Sequence, residues 1–199
     1  MKTIFTLLRL LILLGLIVMM TAIDSRSQDR WGVQVRPGVS FATTDLGDAN
    51  LKTGFGFDVA ASYRFMPHTS VYIGWGWNRF SSDRSFAGDN MDFEETGYIL
   101  GLQFAHPFAE RLPFGYFLKG GALYNHIEVE NTAGDIISDS GHGFGFQVET
   151  GLSFSVSESW HIIPGIKYQS LSRDLEINET NYAVDLNYLS VGITLLKSF

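Results

Sequence analysis

The 199-residue chain has no cysteine. That excludes a disulfide framework, a thiol nucleophile, a cysteine metal centre and a lipid-modified N-terminal cysteine. Proline is scarce, at five residues, and charged residues make up only 18%. Long apolar runs are also missing: beyond Leu10 to Met20, nothing approaches the ~20 residues a spanning helix needs. What the chain has in quantity is glycine, at 21 residues, and aromatics, at 14%. That pairing fits many closely packed strands better than helices, and the length suffices for one domain with a sizeable core.

The N-terminus reads as an export signal. Lys2 and Arg9 precede the run Leu10 to Met20, and a polar segment with Ser25 and Ser27 follows. This charged, apolar, small-residue order predicts a signal peptide over 1–27, cut near Ser27/Gln28, and a mature chain of 28–199. The alternative is an uncleaved N-terminal anchor.

The rest of the chain alternates with period two. In "GHGFGFQVETGLSFSV" (141–156), Phe144, Phe146, Val148, Leu152 and Phe154 fall on one face. Gly143, Gly145, Gln147, Glu149, Gly151 and Ser153 fall on the other. The same pattern recurs at 31–42, 53–65, 70–78, 97–105, 114–126, 161–170 and 188–199, giving eight segments. Such alternation predicts strands, and repeated glycine would weaken a helix by roughly 1 kcal/mol each. Upstream of the last segment, Tyr182, Val184 and Leu186 carry the opposite parity, read as a bulge or loop edge near Tyr188.

Which face is inside follows from what the polar face contains. A wetted sheet favours Thr, Lys and Glu, whereas this face is crowded with Gly and Ser and carries only a few charges. Small side chains and sparse ions suit a narrow interior. The apolar face must then meet lipid, the inversion that marks a transmembrane β-barrel. Closure also leaves no unpaired edge in hydrocarbon. The expected fold is therefore all-β, an eight-stranded antiparallel up-and-down transmembrane β-barrel. Short connections at 66–69 and 157–160 and an intermediate one at 106–113 alternate with long ones at 43–52, 81–95, 128–140 and 172–181. Aromatics gather at both segment ends, as at two headgroup levels. A soluble ligand-carrying barrel would need the opposite orientation.

The chain ends "GITLLKSF", an alternating strand closed by Phe199. This resembles the C-terminal signal of outer-membrane barrels that the barrel assembly machinery reads. With the signal peptide and eight strands, the chain resembles the small outer-membrane β-barrel family, the OmpA-like transmembrane domain and OmpX-like proteins. The resemblance implies location in the bacterial outer membrane, contact with its lipid, assembly through Phe199 and both termini on the short-turn side. A monomer is expected.

An eight-stranded barrel is just wide enough for side chains to fill. Arg36, Arg64, Lys119 and Lys167 facing Asp58 and Glu149 are expected to form a buried polar network that plugs the lumen. The four long loops carry net charges of −1, −4, −4 and −2, more negative together than the whole chain at −7. They offer a surface for an extracellular partner or a cation, or simply a solvated face. The acidity gives no footprint for nucleic acid. No metal-ligand spacing, cofactor motif or catalytic constellation is evident, and no enzyme is expected. His126 and His142 flank the third long loop and would be the pair to test if the barrel were a lipid-modifying enzyme; a narrow passive channel is the other alternative.

Overall fold

The computed structural model describes residues 30–109, 112–177 and 179–199. The expected signal peptide and its cleavage point lie outside these residues. The strands are β1 (Trp31–Ala42), β2 (Gly54–Met66), β3 (Thr69–Ser85), β4 (Gly88–Pro107), β5 (Phe114–Glu130), β6 (Ile136–Asp139), β7 (Gly143–Ser155), β8 (Trp160–Ile177) and β9 (Thr180–Ser198). Eight of them pair antiparallel in a closed ring, β1-β2-β3-β4-β5-β7-β8-β9, with β9 returning to β1. The short β6 lies outside the ring and pairs with β5. At the seam, Phe199 N–H donates to the Trp31 carbonyl at 2.8 Å.

Every ring strand turns an apolar face outward in the barrel's midsection. Val39, Phe55, Ile73, Leu100, Leu118, Phe146, Ile166 and Val191, one from each, are 45–62% exposed. The polar face lines the lumen, where Arg36, Lys119, Glu149 and Lys167 are buried. Glycine there answers a packing need: Gly101 and Gly121 leave room for the Tyr72 ring, and Gly151 and Gly165 for Phe117. Inward Phe117 and Leu123 are also why the alternation along 114–126 reads less cleanly.

Two expectations are corrected. Three of the long loops are mostly strand: β3 and β4 run on to Ser85 and Gly88, β8 and β9 to Ile177 and Thr180, and β5 reaches Glu130. The parity change before Leu189 is not a bulge, because the β8–β9 register is continuous from Trp160↔Lys197 to Ile177↔Thr180. What changes is the solvent. Along β9, Leu195, Ile193, Val191 and Leu189 face out, and further up Val184, Leu186 and Tyr188 face in. Along β3, outward Ile73, Trp75 and Trp77 give way to Arg79, Ser81 and Asp83, while inward Phe80 is fully buried. Once the strands leave hydrocarbon their outer face meets water, and the sheet reverts to apolar-in, polar-out.

The protruding part therefore has its own apolar core, including Phe80, Phe93, Ile127, Leu175, Val184 and Leu186. The remaining long loop, 43–52, folds into this core. Leu46 and Ala49 are fully buried and hydrogen-bond to each other across a tight turn, at 3.1 and 2.9 Å. Gly47 between them has φ +63°, a conformation glycine adopts at little cost, and lies against Phe86.

Candidate functional site

The lumen holds a connected column of polar side chains. Arg36 on β1 donates from Nε to Glu149 Oε1 on β7 at 2.9 Å, and from its two terminal nitrogens to Ser190 Oγ and the Ser190 carbonyl at 3.1 and 3.0 Å. Lys119 Nζ donates to Gln34 Oε1 at 2.8 Å and lies 3.5 Å from Glu149 Oε2. Lys167 Nζ donates to both Asp58 oxygens, at 3.0 and 2.7 Å, and Arg36 approaches Asp58 at 3.9 Å. Five of the six residues expected in the lumen are thus joined in one cluster. Arg64 is not among them: it points to the same side of its strand but sits at the short-turn end, exposed.

Sequence reasoning missed the upper half of this column. Glu95, counted above as a loop charge, is buried in the lumen. Its carboxylate accepts from Tyr188 OH at 2.7 Å, Gln169 Nε2 at 2.5 Å and the Asn125 side-chain amide. Arg173, also assigned to a loop, spans the wall just above and donates to the Asn125 and Phe144 carbonyls at 2.8 and 2.9 Å. The parity of β4 was the available signal, since Glu95 shares the face of Gly97, Ile99 and Gln103. Glu95 supplies a third carboxylate against Arg36, Lys119 and Lys167.

The space around these groups is small. Gaps of about 10 Å³ and about 20 Å³ remain between them, room for about one water each. Above lies the apolar core with Leu46. Below, at the short-turn end, a vestibule of about 240 Å³ reaches inward to Phe117 and Ile163.

Outside, two aromatic levels bound the apolar band. Phe55 and Trp77 meet edge-on at 5.4 Å, and Tyr124 and Phe144 at 5.3 Å, near the protruding end. Trp31 and Tyr63 meet at 4.9 Å at the other, where Phe104, His106 and Tyr116 also cluster. Above the upper level, Arg79 pairs with Asp92 and approaches Glu94 at 3.3 Å. The histidines flanking the third loop do come together, with ring centroids 4.4 Å apart, and His126 Nδ1 lies 3.0 Å from Asp139 Oδ1. Among the described residues neither imidazole hydrogen-bonds to a serine. The Ser155–His161 contact, at 3.1 Å, is at the opposite end of the barrel.

A closed ring with a lipid-facing exterior and a polar lumen is the architecture of a bacterial outer-membrane β-barrel. The chain belongs to the outer membrane protein beta-barrel domain family, whose profile matches residues 10–194, and it is a protein of the bacterial outer membrane. It is similar in structure to Neisserial surface protein A, with a TM-score of 0.61 and 15% identity, covering 86% of this chain and 98% of that one. It is also similar to the E. coli outer membrane protein W, with a TM-score of 0.56 and 12% identity over 88% and 100% of the two chains. Pseudomonas aeruginosa OprG gives a TM-score of 0.53 and 13% identity over 87% and 99%. At these identities the likeness is one of fold. No curated protein sequence matches the chain.

Proposed function

We propose that this protein is a non-catalytic outer-membrane barrel with a structural, plugged lumen, and that it serves to present rigid acidic hairpins at the cell surface. The observation that carries the reading is the Arg36–Glu149–Lys119 and Lys167–Asp58 cluster in the barrel's midsection, topped by Glu95 and then by an apolar core. An ion crossing this column would have to break charge-assisted hydrogen bonds deep in the protein and then pass an apolar layer. The hairpins outside are extended strands with their own core, a rigid mount for a surface partner. Outer-leaflet lipid against the aromatic levels, and assembly machinery reading Phe199, complete the proposed partners of a monomer that begins as an exported precursor. Planar-bilayer recordings of the purified protein test the plug: the expected result is no stable conductance, and a steady open channel of porin size overturns it.

A further inference from the structure

We propose that His126, Glu128 and Asp139 form a site for a divalent transition-metal ion of the zinc class on the water-facing wall of the third hairpin. This goes beyond the plugged-barrel reading and is independent of it.

His126 and Glu128 are two apart on β5, so both side chains leave the same outer face. Asp139 on β6 is the direct cross-strand partner of Glu128. Sequence spacing conceals the set, because the hairpin brings together residues 13 positions apart. The local backbone holds it in place: Ser140 N–H donates to the Ile127 carbonyl at 3.0 Å, and Ile127 N–H to Ser140 Oγ at 2.8 Å. Gly141, with φ +65°, turns its N–H onto Asp139 Oδ1 at 2.7 Å and fixes that carboxylate.

His126 Nδ1 is 3.0 Å from Asp139 Oδ1 and 3.7 Å from Glu128 Oε1. One donor atom from each of the three residues lies within 4.8 Å of the others. Ligands about 2.0–2.1 Å from a tetrahedral zinc are separated by about 3.3 Å, so these donors need only small movements. The donor set selects the metal. Calcium and magnesium prefer all-oxygen shells, while an imidazole with carboxylates suits zinc and its neighbours. Three protein donors leave one position open to water. Asp92, Glu94 and Glu130 on the same wall add negative potential, with Arg79 engaged by Asp92 and Glu94. His142 stacks on His126 at 4.4 Å, covering one side of the imidazole, and packs at a tilt against Tyr124 at 5.2 Å. The alternative is that the His126–Asp139 hydrogen bond is complete in itself and binds no ion.

The test is isothermal titration of Zn²⁺ into the full barrel in detergent micelles after chelator treatment, with heat-modifiable gel mobility confirming the fold of each variant. The expected result is one ion per chain, with affinity reduced at least about tenfold in His126→Ala and in Asp139→Asn. The double variant Glu94→Gln/Glu130→Gln, which removes nearby charge but neither His126 nor Asp139, should lose clearly less affinity than either of those variants. If His126→Ala fails to fold, Asp139→Asn decides, since Asp139 belongs to this set alone: weaker binding supports the site and unchanged binding overturns it. Absence of binding to the unaltered protein, or equal loss in the Glu94/Glu130 variant, also overturns it.

Discussion

Arg36 and Glu149 reach each other across the barrel interior, from β1 and β7, strands three steps apart in the ring, at 2.9 Å. Both side chains are at most 5% exposed, and Glu149 also faces Lys119. A bond that spans the lumen ties distant parts of the wall together in a way no ladder hydrogen bond can. It also makes the pair interdependent, because either charge alone would be buried without compensation.

Removing one partner should therefore cost far more than removing both. Glu149→Gln leaves Arg36 and Lys119 facing a neutral amide, and the expected loss is about 3–5 kcal/mol. The double variant Arg36→Met/Glu149→Met should recover much of that loss. Urea unfolding in micelles, followed by tryptophan fluorescence, measures both. A loss in the double variant equal to the sum of the losses in Arg36→Met and Glu149→Met alone would show that the pair is not coupled.

Glycine on the two faces should respond differently to the same methyl group. At Gly97, facing the lumen, an added Cβ would lie 2.2 Å from Asn125 Cβ and 2.6 Å from the Tyr124 carbonyl. Gly120, on the lipid side, has nothing within 4 Å of that position. Gly97→Ala is expected to cost about 1–3 kcal/mol or to impair assembly, through overpacking against backbone. Gly120→Ala is expected to be near neutral. The heat-modifiable fraction recovered from outer membranes compares the two directly.

The edge of the hydrocarbon can be located by charge. Ile73 and Ser81 share the outer face of β3, Ile73 paired with Leu100 and Ser81 with Asp92. Ile73→Arg should cost about 2–4 kcal/mol, as for a cation near the bilayer midplane, and Ser81→Arg about 0–1. Equal costs at the two positions would mean that the apolar band does not end near Trp77.

These faces show how far the sequence can be read. The eight membrane segments were legible because one environment, lipid, governs the outer face of 31–42, 70–78 and 188–199 alike. The protruding hairpins were not, because period-two alternation records only which side is apolar, not what lies outside it. At Tyr188 the hidden side switches while the strand continues, so a change of solvent looked like a break in register. Glu95 was misplaced for the same reason: its neighbours Asp92 and Glu94 do lie on the wetted face, and only the strand's continuation past 97 turns Glu95 inward. The His126–Glu128–Asp139 set was illegible for another reason, since it depends on a hairpin register and on Gly141, not on spacing along the chain.

Acid should loosen the β3–β4 hairpin first around Asp92. Burial opposes ionisation of this carboxyl, but hydrogen bonds from Arg79 and Ser81 outweigh it and hold it below the usual carboxylate range. A lowered folded value means that Asp92 contributes stability above its unfolded pKa, about 3.9, and loses it as pH falls through the folded value. Asp92 is partly exposed, so screening limits the gain. Hydrogen exchange of amides 79–92 should show constant opening, after correction for intrinsic rates, from pH 8 to about pH 5 and more frequent opening below about pH 4. Asp92→Asn should open more at neutral pH and lose most of this acid response. Should the unaltered hairpin hold its protection down through the acid range, the Arg79–Asp92 pair contributes nothing to its stability.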